Sequence, residues 1–240
     1  MKLDGKTVLV TGANRGIGAR LVESVLDAGA TKVWAAARNP QSLAPAALAH
    51  NRVLPLELDI TDQASVDAGA KRANDVDLLI NNAGVLAVGG PLDGALDGFE
   101  RDLMSNYLGT LRVTRAFVSI LERNVPSTVL NVLTVTALAP IRSLAGYSAS
   151  KAASHSMTQA LRAELKDRGI EVIGAYPALI DTDMVAGIDA MKTPPDEVAA
   201  RIIEGVEADE TIIWPDPTSA GAGSAYLNDP IALEAMLAAF

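Results

Sequence analysis

Along this chain, short runs of β-branched and aliphatic residues alternate with stretches whose apolar positions recur every three or four residues. The runs predict strands at residues 7–10, 32–37, 53–58, 78–81, 128–133, 171–176 and 211–213. The amphipathic stretches predict helices at 17–28, 63–72, 99–122, 148–168 and 196–207. Strands that are apolar throughout are buried on both faces, so this order predicts an α/β fold: a doubly wound, mostly parallel sheet with helices on both sides. Turn signals at Asn39-Pro40, Gly89-Gly90-Pro91, Ala139-Pro140 and Thr193-Pro194-Pro195 are too short to be interdomain linkers. Residues 220–224 (AGAGS) read as a flexible patch. Pro230 then opens a closing helix, a candidate for packing on a partner subunit.

Composition narrows this picture. With 240 residues, 49% hydrophobic and 20% charged, the chain fits a single well-cored domain. A formal charge of -9 and no basic run argue against nucleic acid, because phosphate neutralisation needs a concentrated basic face. The absence of cysteine excludes disulfides and thiol chemistry, and the two histidines, His50 and His155, lie in unrelated contexts, so no metal site is expected. The first residues lack a signal-peptide pattern and no stretch is apolar enough to span a membrane. A cytoplasmic protein with no membrane partner is therefore expected.

Chemistry enters after the first strand, where Thr11-Gly12-Ala13-Asn14-Arg15-Gly16-Ile17-Gly18 opens a helix. Small residues there let backbone N–H groups and the positive helix end approach a pyrophosphate, as in a Rossmann-type dinucleotide fold. Three glycines alone are a weak signal, and their spacing departs from G-x-G-x-x-G. Their place between strand and helix carries the reading. About twenty residues on, where such folds place an acid to hold the ribose 2′-hydroxyl, the second strand ends in Ala37-Arg38. Without the acid, Arg38 and Arg15 can bind a 2′-phosphate, so NADP(H) is expected over NAD(H). Asp59 and Ile60 end the third strand and Asn82, Ala83 and Gly84 follow the fourth, at the strand ends that line the ligand crevice.

At the other end, Tyr147 and Lys151 stand four residues apart on one helix face. A free phenol is too weak an acid for neutral pH, and a nearby cation such as Lys151 is expected to lower its pKa. Thr134, at the end of the fifth strand, offers a hydroxyl to the oxygen of a substrate.

Together these motifs resemble the short-chain dehydrogenase/reductase family. The resemblance runs from about Gly5 to Pro217 and rests on Thr11-Gly12-x-x-x-Gly16-Ile17-Gly18, Asn81-Asn82-Ala83-Gly84, Asn106, Tyr147-x-x-x-Lys151 and the segment from Pro177 to Thr182. It implies that Tyr147 protonates a carbonyl oxygen while hydride arrives from the nicotinamide. It further implies that Lys151 binds the nicotinamide ribose, that Asn106 helps hold a relay water, and that Asp59 and Ile60 contact the adenine. Asn82 would lie by the ribose, Ile180 and Thr182 by the carboxamide, and the protein would form a homodimer or homotetramer.

The chain departs from the family pattern twice. Thr134 replaces the usual serine, adding a methyl group and a stiffer χ1. Ala178 follows Pro177 where glycine is usual, so the turn is expected to shift if it needs positive φ. A short segment at residues 184–192 predicts an open substrate pocket lined by Leu86, Leu138, Ile141, Met184 and Val185. The resulting expectation is an NADPH-dependent carbonyl reductase or alcohol dehydrogenase acting on a small, mostly apolar molecule. The alternatives are an NADPH-binding sensor or scaffold without turnover, and a ketoacyl thioester reductase. The last should carry a basic patch for its acidic carrier, and none is visible.

Overall fold

The computed structural model describes residues 1–238. Seven strands form one parallel sheet in the order β3-β2-β1-β4-β5-β6-β7. They are β1 (Thr7–Thr11), β2 (Lys32–Ala37), β3 (Val53–Glu57), β4 (Leu78–Asn81), β5 (Ser127–Val132), β6 (Ile170–Ala175) and β7 (Ile212–Ile213). Alternation along each strand sends its side chains to two cores. Val8 and Val10 of β1, Val33 and Ala35 of β2, and Leu78 and Ile80 of β4 face one core with α1 (Gly16–Asp27) and α7 (Pro195–Glu207). Leu9, Trp34 and Leu79 face the other, with α3 (Gln63–Arg72), α5 (Thr110–Arg123) and α6 (Ala145–Leu165). The strand order reverses between β1 and β4, which opens a crevice at their carboxyl ends.

Three elements differ from the sequence expectation. A short helix, α2 (Pro45–Ala49), precedes β3, with proline at its first position where no N–H is needed. The helix expected at 99–122 begins earlier, as α4 (Leu96–Asp102), and joins α5 through a widened π-helical turn at Leu103–Gly109. Such a turn follows from tertiary bonding rather than periodicity, and π-turns recur at functional sites.

The third difference is the AGAGS stretch, which is not a flexible patch. It lies inside α8 (Pro217–Asn228), which Asp216 starts by accepting from Ser219 N while the Ser219 hydroxyl accepts from Asp216 N. A Cβ on Gly223 would lie 2.4 Å from the Trp214 indole, so this glycine is a packing requirement. The closing helix α9 (Pro230–Ala238) packs on its own chain: Leu233 and Leu237 meet Val135 and Ala139. Among the described residues, no helix is long and apolar enough to cross a membrane.

Candidate active site

The crevice is a cleft of about 840 Å³ running from the glycine turn to Tyr147 and on to α9. Every residue assigned from the sequence to the cofactor lines it, including Asn14, Arg38, Asp59, Ile60 and Thr182.

At the glycine end the cradle is built so closely that side chains would fill it. Gly12 has φ 66°, and a Cβ there would lie 2.9 Å from Ala83 Cα; one on Gly18 would lie 2.1 Å from the Gly12 carbonyl oxygen. Helix α1 begins without a side-chain cap, which leaves its first N–H groups for an anion. Thr11, read in the sequence only as the first residue of the glycine motif, has a role of its own: its hydroxyl accepts from the N–H groups of Asn82 and Ala83 at 3.0 and 3.1 Å. Asn82 spends its amide on the carbonyls of Thr11 and Gly12, at 2.9 and 3.2 Å, and so braces the turn between β1 and β4.

Ala37 is buried at the end of β2, the position where an acid would hold a ribose 2′-hydroxyl. Exposed Arg38 and Arg15 line the cleft there. Arg15 approaches Asp183 at 3.9 Å, an exposed pair of little energetic weight. Hydrogen bonding from Thr61, then the charges of Arg38 and Arg112, hold the Asp59 carboxyl below its ordinary pKa. This end fits a dinucleotide with an anionic group near Arg38.

The reacting end is set by β5 and α6. Thr134 follows β5, 5% exposed, and its Oγ1 accepts from Thr136 N at 3.3 Å, which leaves the hydroxyl proton free to donate. Tyr147, half-buried in the first turn of α6, lines the same cleft. Lys151, only 6% exposed, donates from Nζ to the Val132 carbonyl at 2.8 Å. Burial pushes the Lys151 pKa down to about 8.

The expected lowering of the Tyr147 pKa is not found in the protein alone. Burial, followed by the negative charge of Asp102, pushes the phenol above its ordinary value. Lys151 Nζ is 5.9 Å from the ring centre and is itself a weakened cation, so its charge does not overcome desolvation. With that direction of shift Tyr147 keeps its proton at neutral pH but releases it less readily than a free phenol.

Asn106 sits in the π-turn behind the wall rather than in the cleft. Its Oδ1 accepts from Val85 N at 2.8 Å, and its Nδ2 donates to Val85 O and Ser150 Oγ, each at 2.9 Å. A Cβ on Gly84 would lie 3.0 Å from Asn106 Oδ1, so Gly84 gives the Asn106 amide room against the wall. Ala178 needs no positive φ: among the described residues Asp209 is the non-glycine that adopts one. The alanine therefore fits its turn without strain.

Of the expected substrate pocket, Leu86, Ile141, Met184 and Val185 line the cleft. Leu138 does not. The helical turn at Val135–Ala137 carries it onto a second cavity, beside Ala139 and Pro140. Thr136, Ser143, Thr218 and Leu237 complete the substrate end instead, the last two from α8 and α9.

A switch-point cleft with a glycine cradle at one end and a tyrosine–lysine pair at the other defines a dinucleotide-dependent oxidoreductase. The chain belongs to the short-chain dehydrogenase family, whose model matches residues 6–193. A short chain dehydrogenase from Burkholderia cenocepacia, solved in complex with NADP, superposes with a TM-score of 0.93 at 35% identity over 99% of each chain. The 3-alpha-(or 20-beta)-hydroxysteroid dehydrogenase of Mycobacterium tuberculosis is 29% identical over 236 residues, covering 95% of this chain and 89% of that one. The protein named Probable oxidoreductase EphD, from the same organism, is 34% identical over 212 residues; they make up 81% of this chain but 34% of that protein. The chain thus spans about a third of EphD's length.

Proposed function

We propose that the protein is an NADPH-dependent reductase of ketones or aldehydes on uncharged, mostly apolar molecules. One observation carries the reading: the Thr134 hydroxyl and the Tyr147 phenol line the same cleft, with the buried Lys151 one helical turn from Tyr147. The preference for NADP(H) rests on Ala37 beside exposed Arg38 and Arg15, and on the NADP-bound relative at 35% identity.

When bound, NADPH supplies the hydride that forms the new C–H bond. Tyr147 donates its phenolic proton to the carbonyl oxygen, which becomes the hydroxyl of the product alcohol. The Thr134 hydroxyl hydrogen-bonds that oxygen and fixes the carbonyl plane. Lys151 holds positive charge beside the phenolate that Tyr147 leaves behind, and Asn106 keeps the wall around Gly84 in place. Leu86, Ile141, Val185 and Leu237 offer the substrate an apolar surface, with the hydroxyls of Ser143 and Thr218 as its polar points. Apart from Lys151 no basic side chain lines this end among the described residues, which favours a neutral substrate over a keto acid or a carrier-bound thioester.

As a partner we propose a second copy of the chain, in a homodimer or homotetramer, supported by exposed Leu103, Met104 and Leu108 along the α4–α5 segment. The test of function is NADPH oxidation, followed by absorbance, against a panel of carbonyls. Tyr147→Phe should cut turnover by about 10²–10⁴-fold and leave NADPH binding intact. Equal turnover in wild type and Tyr147→Phe refutes the reading.

A further inference from the structure

The carboxylate of Asp216 joins two parts of the molecule that are remote in sequence. Its Oδ1 accepts from Ser219 N at 2.8 Å and caps α8, while its Oδ2 accepts from Ala178 N at 3.0 Å. The residue is 5% exposed, and no basic side chain lies within ion-pair distance of it among the described residues. A cap alone does not require this: serine, threonine or asparagine starts a helix without a buried charge. The second oxygen needs another explanation, and Ala178 N supplies it.

Ala178 N–H and Pro177 C=O belong to the same peptide unit. Val135 N donates to the Pro177 oxygen at 3.1 Å, so that unit is clamped at both ends, by Val135 and by Asp216. Val135 directly follows Thr134. Just upstream, Tyr176 N donates to Ile213 O at 2.9 Å, and the Tyr176 and Trp214 rings meet at 5.0 Å between centres. Residues 176–178 and 213–216 therefore run together as a seam that ends at Asp216. Beyond it, α8 and α9 return to the cleft with Thr218 and Leu237, and Leu233 and Leu237 are buried on Val135 and Ala139.

We propose that Asp216 is a positioning residue for substrate selection: it locks the Pro177–Ala178 peptide and holds the α8–α9 wall in register with Thr134. The wall then limits the size of the group attached to the carbonyl. The proposal rests on the carbonyl-reductase reading for its kinetic test, and amide exchange tests it independently of turnover.

Two variants separate the lock from the cap. Asp216→Asn has a single acceptor oxygen, so either Ser219 N or Ala178 N is left without a partner. Ser219→Ala removes the reciprocal hydroxyl bond of the cap but leaves Asp216 and Ala178 unchanged. With a two-ring ketone and a small acyclic ketone as substrates, Asp216→Asn should shift the ratio of their kcat/KM values by about tenfold or more, the scale of one charge-assisted hydrogen bond. Because Pro177 and Ile180 line the cofactor cleft, both rates are read at saturating NADPH, where a change in cofactor affinity does not enter the ratio. Ser219→Ala should lower the melting temperature and leave the ratio unchanged. In hydrogen exchange, Asp216→Asn should speed exchange across residues 176–180, whereas Ser219→Ala should not. An unchanged substrate ratio in Asp216→Asn, with exchange at 176–180 as slow as in wild type, overturns the proposal and leaves Asp216 as a helix cap. If wild type reduces no carbonyl, the functional reading fails, and the exchange result alone decides the lock.

Discussion

Lys151 Nζ donates to the Val132 carbonyl oxygen at 2.8 Å and stands 5.9 Å from the centre of the Tyr147 ring. The lysine is anchored to the sheet, and its burial carries a stability cost that depends on pH. Its pKa is about 8 in the folded protein, against 10.5 for an unperturbed lysine side chain. Between these values the unfolded chain holds a proton that the folded chain has lost, so unfolding takes up a proton and stability rises with pH. Lys151→Met abolishes that dependence. Relative to the variant, wild type should gain about 1.4 kcal/mol per pH unit as pH rises from 8 to 10, approaching about 3 kcal/mol. Denaturant unfolding of both proteins at pH 7.5, 8.5 and 9.5 measures this, and a pH-independent difference contradicts it.

Thr134 is tested by separating its hydroxyl from its methyl group. Thr134→Ser keeps the donor and the bond from Thr136 N, so turnover should stay within a few-fold of wild type while bulkier ketones are accepted. Thr134→Val keeps the shape and loses the hydroxyl, and kcat should fall by about 10²–10³-fold. It also loses a turn cap worth about 1 kcal/mol, so melting temperatures must be read beside the rates. Activity retained in Thr134→Val would remove the hydroxyl from the mechanism.

The sheet and the cofactor end were legible in the sequence because both are local. Strand alternation at Val8, Leu9 and Val10 sorts side chains between two cores, and the glycine turn, Ala37 and Arg38 follow directly from the strands that carry them. The reacting end was legible only in part. Tyr147 and Lys151 share a helix face, but the rise in the Tyr147 pKa comes from its burial and from Asp102, which approaches from another helix. Asn106 could be picked out, but its bonds to Val85 and Ser150 could not. Leu138 was misplaced because a single helical turn after Thr134 sends adjacent residues to different cavities. Thr218 and Leu237 reach the cleft through long-range packing that has no local pattern.

Arg38→Asp tests the cofactor end. The substitution removes a donor for a 2′-phosphate and supplies the acid that Ala37 lacks. NADPH affinity should fall by about tenfold or more, and NADH affinity should rise. Fluorescence titration of both cofactors gives the ratio, and an unaltered preference would mean that Arg38 does not read the ribose.

The AGAGS stretch makes opposite predictions at two glycines of one helix. Composition alone treats Gly221 and Gly223 alike, as flexible residues that alanine should stiffen. In the structure Gly221 is exposed, with nothing within 4 Å of an added Cβ, so Gly221→Ala should stabilise the protein by about 0.5–1 kcal/mol through lost backbone entropy in the unfolded chain. At Gly223 the added Cβ would lie 2.4 Å from Trp214 Cε2, in a seam already filled by the Trp214 and Tyr176 rings. Gly223→Ala should therefore destabilise by about 1–3 kcal/mol, the usual cost of overpacking. At this chain length each kcal/mol moves the melting temperature by about 2–4 °C, so thermal unfolding resolves both signs. The displaced indole should also disturb Thr218 and Leu237 across α8 and α9, raising KM in Gly223→Ala and not in Gly221→Ala. If both alanines stabilise, the stretch is the flexible patch its composition describes, and α8 does not pack on Trp214.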